Sequence, residues 1–193
     1  MKKFVVFLVA FMLVASLALS VQASYTQKTG GSYSTVTPVT QRSREWILTQ
    51  FGHCQTLPEL LQAIDDFGCA NFVYEEWAWG FIQEFNLDRF LFSWDYRGVC
   101  FDFSCFVKSV VTVWSEEKGR SDVQAFVYDV HLKNGGRHSY NFIFEDGHIW
   151  YLCLTTNVSR TTNGKTSRGF SELTEGTVKQ CTDRWGDRVF NIN

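Results

Sequence analysis

The spacing of apolar residues changes character several times along this chain. Phe4 to Ser20 is apolar without a charge. TLPELLQAIDDFG, residues 56–68, has helical spacing behind a capping box of Thr56 and Glu59. It carries a proline in its first turn and Gly68 as its stop. ANFVYEEWAWGFIQEF, residues 70–85, predicts a second helix, and LDRFLFSWDYRG, residues 87–98, an irregular approach to Cys100. Beyond it Phe103, Phe106, Val107, Val110, Val111 and Trp114 recur at helical spacing, opposite a polar stripe of Ser104, Lys108, Thr112 and Ser115. This third helix is expected to bury one face and to hold Cys100 in its first turn. Cys105 then lies about 140° around the axis, its Cα beyond the ~7 Å reach of a disulfide to Cys100.

After SEEKGRS the period becomes two. VQAFVYDVHL predicts a strand, Asn134 to Gly136 a hairpin turn, RHSYNFIFE a second strand, Asp146-Gly147 a second turn and HIWYLCLTT a third strand. Further turn signals fall at Asn163-Gly164 and Trp185-Gly186. Helices first and an antiparallel meander after them make the class α+β, N-terminal helices with a central Cys-bearing helix packed on an antiparallel β-sheet.

Composition adds an address and a domain boundary. Lys2 and Lys3 before the apolar run, and Val21-Gln22-Ala23 after it, predict a signal peptide over 1–23 and a secreted chain with no membrane association after cleavage, with a retained N-terminal anchor as the alternative. Residues 24–43, rich in Ser, Thr and Gly, read as a flexible linker. Residues 44–193 then form one domain, able to bury roughly two-thirds of its unfolded surface. The formal charge of 18 − 20 = −2 becomes 16 − 20 = −4 without Lys2 and Lys3, and no basic cluster stands out. Nucleic acid is therefore not an expected partner. Seven Trp residues fit either a thick aromatic core or an aromatic-lined cleft. Six cysteines in an exported chain invite disulfides. No C-x-x-C pair or zinc-ligand spacing is present, and neither metal nor organic cofactor is implied.

Cys100 is the first residue with chemistry to offer. A thiol at a helix N-terminus meets the positive end of the dipole and free backbone N–H groups, which favour thiolate and can hold an oxyanion. A nucleophilic thiol also needs a base. His138 is the best candidate, since it starts the middle strand on the face of Tyr140, Phe142 and Phe144. That apolar face is expected to pack on the cysteine helix. His131, His148 and His53 are weaker candidates. The competing reading makes Cys100 a buried thiol and His138 a hydrogen-bonded structural histidine.

GVCFDFS (Gly98 to Ser104), VQAFVYDV (Val123 to Val130), HSYN (His138 to Asn141) and DGHIWYLCLTT occur in an order that resembles the transglutaminase-like superfamily of papain-type cysteine enzymes. The resemblance spans roughly residues 56–157. It implies a papain/transglutaminase-like core and a secreted enzyme acting on protein or peptide amide bonds through a Cys100–His138 thioester mechanism. Peptidase, deamidase and acyl-transfer outcomes remain open. It also implies a triad aspartate, which is absent here: the corresponding position falls on Cys153 or Leu154. Hairpin counting instead sets His138 across from Thr155. Thr155, Asn157 and Cys153 are thus the candidate orienters of the imidazole, and Trp94 and Tyr96 candidate oxyanion or cleft residues. Asp102 reads as a first-turn carboxylate complementing the dipole. The missing aspartate keeps a second reading open, a catalytically inactive module that binds protein or cell wall. A third is an amidase acting on cell-wall stem peptides.

Overall fold

The computed structural model describes residues 26–29, 32–36, 39–75, 84–131 and 137–173. Capping decides where its first helices begin. Helix α1 (Gln41–Phe51) starts behind Thr40, whose side chain accepts the Ser43 N–H. Helix α2 (Leu57–Asn71) starts behind Thr56, with Glu59 reaching back to the Thr56 N–H. The domain boundary expected at residue 44 thus falls inside α1. Within the segment read as a linker, β1 (Thr26–Thr29) and β2 (Ser32–Val36) pair antiparallel.

Gly68 does not end α2. Residue 68 faces the side chain of Leu154, and a Cβ there would lie 2.6 Å from Leu154 Cδ1. The glycine therefore allows two helices to approach, and α2 runs on to Asn71. The helix expected over 70–85 is not formed in the part described. Phe72 turns extended, β3 (Val73–Tyr74) pairs parallel with β5 (Arg97–Gly98), and Glu84–Phe85 form β4. The N–H groups of Val73 and Glu75 go to the carbonyls of Tyr96 and Gly98, which a helix would have denied them. Between β4 and β5 the stretch read as irregular contains a short helix, α3 (Leu87–Phe92).

Helix α4 (Cys100–Glu117) occupies the middle of the molecule. One side packs on Ile47 and Phe51 of α1 and on Leu57, Leu60 and Ile64 of α2. The other meets the sheet formed by β6 (Val123–His131), β7 (Arg137–Glu145), β8 (His148–Leu152) and β9 (Phe170–Leu173), in the order β6-β7-β8-β9. All three pairings in that sheet are antiparallel. Asp146 and Gly147 close the β7–β8 hairpin with φ of 40° and 85°, as an Asp-Gly turn requires. The hairpin turn expected over Asn134–Gly136 and the turn at Trp185-Gly186 lie outside the described residues.

Two expectations about α4 are corrected. Its polar stripe is not a solvated face, because Ser104 and Ser115 are both buried. Ser109 and Ser115 donate their hydroxyls to the Cys105 and Thr112 carbonyls of the same helix, which lets them enter the core without an orphaned donor. Lys108 is half-buried, and desolvation pulls its ammonium down to about 8. The sheet face is also reversed. Ala125, Val127 and Ile143 join the core around α4, whereas Tyr128, Tyr140 and Phe142 form a separate aromatic layer on the other face.

The third strand is shorter than expected. The chain leaves the sheet after Leu152 and enters helix α5 (Leu154–Thr162). Leu154 is held against Gly68, and Asn157 donates to Asp65 Oδ1 at 2.6 Å, so α5 is bound to α2 rather than to the sheet. Among the described residues no helix is long and apolar enough to cross a membrane.

Gly68→Ala tests the α2–α5 approach. Helix propensity alone favours alanine by about 1 kcal/mol. Overpacking against buried Leu154 opposes it by about 1–3 kcal/mol. Net destabilisation in denaturant unfolding is expected; an unchanged or higher midpoint would show that the contact is slack.

Candidate active site

Cys100 is the first residue of α4, behind Val99 as N-cap. Valine offers no capping oxygen, and Asp102 takes over part of that work. Its Oδ2 accepts the Val99 N–H at 2.8 Å. Room for the carboxylate comes from Gly98, where a Cβ would lie 2.7 Å from Asp102 Oδ2. The glycine and aspartate flanking the cysteine are thus one steric unit that shapes the first turn of the helix. Upstream, Asp95 and Tyr96 hold φ of 50° and 59°, a strained turn that brings the chain from α3 to β5.

Asn141 sets the sheet against this helix. Its Nδ2 donates to the Ser104 carbonyl at 3.0 Å and to the Phe126 carbonyl at 3.1 Å. Cys100 lies one turn before Ser104, about 6 Å along the helix. His138 lies three residues before Asn141, about 10 Å along the strand. Both residues therefore fall on the same side of the clamp, where the helix N-terminus meets the start of β7. This explains how His138 reaches Cys100 although Tyr140 and Phe142 face away from α4.

The imidazole of His138 lies between two thiols. Its Nε2 is 3.1 Å from Cys153 Sγ, and Cys100 is near enough to act on the ring's charge. Burial opposes a charge on the ring, but the Cys100 and Cys153 sulfurs outweigh it. The imidazole is raised to about 10. Cys153 is the N-cap of α5 and only 4% exposed. Burial pushes its thiol up, yet the hydrogen bond and charge of His138, with Thr156 beside it, hold it below the ordinary value. Sγ stands 3.0 Å from Thr156 Oγ1. Cys100 is enclosed, at 0% exposure.

The remaining candidates lie elsewhere. Thr155 does not face His138, because the strand ends before it; its Oγ1 is buried without a hydrogen-bond partner among the described residues. Asn157 binds Asp65, the Gly169 carbonyl and the Arg168 N–H, so it is a structural clamp and no orienter. Tyr96 belongs to the aromatic core, stacked 6.0 Å from Phe72 and edge-on to Phe67 at 5.5 Å. Trp94 lies under the Arg89 guanidinium, 5.3 Å from the ring centroid. Asn141 and Thr156 were not singled out from sequence. Asn141 had a signal, an amide inside an apolar strand that burial obliges to find partners.

Cys54, Cys69, Cys100, Cys105 and Cys153 are all free thiols, and Cys181 lies outside the described residues. Among the described residues no group of three or more His, Cys, Asp or Glu side chains is arranged to hold a metal ion. A cavity of about 360 Å³ opens between β3 and α5, lined by Phe72, Val73, Tyr74, Thr155, Val158 and Ser159 among others. Cys100, His138 and Cys153 do not line it; its links to them run through the chain, since Tyr74 pairs with Gly98 and Thr155 follows Cys153 by two.

No protein-family model matches this sequence, and no curated protein matches it. Solved structures similar to part of this chain include two. One, assigned as a cysteine protease of Cytophaga hutchinsonii, is 17% identical with a TM-score of 0.47, over 67% of this chain and 42% of that one. The other, described as a TGase, is 13% identical with a TM-score of 0.39, over 61% of this chain and 33% of that one. This chain thus spans less than half the length of either.

Asp102 generates a pH prediction. Burial raises its carboxyl to about 6 from 3.8, against the opposing hydrogen bonds of the Val99 and Asp102 N–H groups. A raised folded-state value means stability present below about 4 and lost as pH rises through about 6, up to about 3 kcal/mol. Unfolding free energies measured from pH 4 to 7 should show that decline in the native protein and a shallower one in Asp102→Asn. Parallel profiles would refute the assignment.

Proposed function

We propose that this chain is an exported cysteine enzyme of transglutaminase-like fold that acts on amide bonds of proteins or peptides. The supporting observation is the shared imidazole: His138 contacts Cys153 and is acted on by Cys100, which opens a buried helix, in the motif order that resembles this superfamily.

The chemistry follows from those groups. With its proton on His138, the Cys100 sulfur attacks the carbonyl carbon of the amide, and the oxygen takes the negative charge. The first-turn N–H groups of α4 have no acceptor within the helix and can receive that oxyanion. The C–N bond then breaks, His138 donates its proton to the leaving nitrogen, and a Cys100 thioester remains. Water or an amine attacks the thioester, His138 takes the nucleophile's proton, and the thiolate departs. Water gives hydrolysis or deamidation; an amine gives a new amide. The β3–α5 cavity is the proposed place for the substrate beside the thioester, and cell-wall peptides fall within the same substrate class. Removal of residues 1–23 would deliver the enzyme outside the cell.

The test incubates the mature chain with a denatured protein and a fluorescent primary amine, with mass spectrometry reading cleavage, deamidation and amine incorporation. Cys100→Ala and His138→Ala are expected to lower turnover by about 10³-fold or more. Turnover unchanged in Cys100→Ala would overturn the reading.

One observation favours a second reading, a non-catalytic protein- or wall-binding module: Cys100 has no exposure to solvent. That reading expects no turnover, a Cys100 inert to iodoacetamide, and binding unaffected by Cys100→Ala with His138→Ala.

A further inference from the structure

We infer that Cys153 is the third member of the site, a thiolate that takes the place of the triad carboxylate and positions His138. The inference rests on Cys100 and His138 being the reactive pair.

Three observations converge. Cys153 Sγ lies 3.1 Å from His138 Nε2, a direct contact between an enclosed sulfur and the ring. The sulfur is furnished as an anion site. It stands directly before a nine-residue helix, and the Thr156 hydroxyl lies 3.0 Å away. With His138 this puts two polar groups around one buried sulfur, the kind of environment in which a buried charge is tolerated. Finally, the chain is shaped to deliver it. β8 ends at Leu152, opposite Asn141, and α5 begins at Leu154, so Cys153 is the junction residue. It is fixed by the strand register on one side and by the Leu154–Gly68 and Asn157–Asp65 contacts on the other. Of the oxygen-bearing alternatives, Asn157 is bound to Asp65 and Thr155 lies beyond the end of the strand.

A triad carboxylate fixes the tautomer of the imidazole and stabilises its protonated form. A thiolate can do both. With the Cys153 proton given up to solvent, its anion faces a ring that is free to take the Cys100 proton, and it stabilises the imidazolium that then forms. Among the described residues, the ionisable groups acting on His138 are Cys100 and Cys153, and the group acting most on Cys153 is His138. Among the described residues no carboxylate competes for the role.

The test uses the mature chain with Cys153→Ala, Cys153→Ser and Cys153→Asp, each verified as folded by its unfolding midpoint. Two readouts are taken: the His138 ring titration by NMR, and the pH dependence of Cys100 alkylation by iodoacetamide, located by mass spectrometry. The His138 titration should stay alkaline in the native chain and in Cys153→Asp, and fall by at least one pH unit in Cys153→Ala. Cys153→Ser, which keeps a hydrogen bond without the charge, should lie between them. Cys100 alkylation at pH 7 should fall about tenfold or more in Cys153→Ala and recover in Cys153→Asp. A His138 titration indifferent to Cys153→Ala, or an Asp variant no better than Ala on a folded chain, would overturn the inference. If His138 follows residue 153 while Cys100 stays inert in every variant, the His138–Cys153 pair stands and the enzyme reading falls.

Discussion

Everything in this structure accommodates a central helix that has almost no solvated face. An 18-residue helix carrying Phe103, Phe106, Val110, Val111 and Trp114 needs apolar cover on all sides, and one sheet or one helical layer cannot provide it. The chain provides both. The helical layer must then come first in sequence and the meander after it, with α5 returning to close the gap between them. The polar groups that enter with the helix are satisfied locally. Serines bond to their own helix, Trp114 donates its indole N–H to the Cys54 carbonyl at 3.1 Å, and Asp102 takes the Val99 N–H. Chemistry is left to the one end of α4 where backbone donors remain available.

That end is where the two layers meet, and the meeting is enforced by polar residues inside an apolar frame. Asn141 links strand to helix through main-chain carbonyls, and Asp65 ties α2 to α5 through Asn157 and to Ser167, whose hydroxyl lies 2.6 Å away. Hydrophobic contact would tolerate sliding by a fraction of a residue; these bonds do not. The His138 ring thus receives its two sulfurs from two different helices, α4 and α5, each located by its own clamp.

The cysteine helix, the three-strand meander and the Asp-Gly turn were legible because each rests on local periodicity or a turn with one stereochemical solution. The errors had tertiary causes. Gly68 has the composition of a helix stop, but its neighbour in space is Leu154, 86 positions on, which local spacing cannot reveal. The reversed sheet face has a similar origin. Tyr140, Phe142 and Phe144 are apolar enough to face the helix, yet they cluster with Tyr128 on the opposite side, leaving the side with Asn141 to the helix. Counting the hairpin outward carried the strand to Thr156, while the helix formed by LTTNVSRTT ended it four residues sooner. Cys100 and His138 were accessible from motif order. The place of Cys153 depended on where β8 stops.

Enclosure of Cys100 has a kinetic consequence. A sulfur without solvent contact reacts only from conformations in which its surroundings have opened, so an observed rate is the product of an opening equilibrium and an intrinsic reactivity. Two reagents of equal electrophilicity but different girth would then sample different fractions of the ensemble. The apparent activation enthalpy would carry the heat of opening as well as that of bond formation. Discrimination between acyl donors at this site would begin with admission, before any bond to sulfur forms.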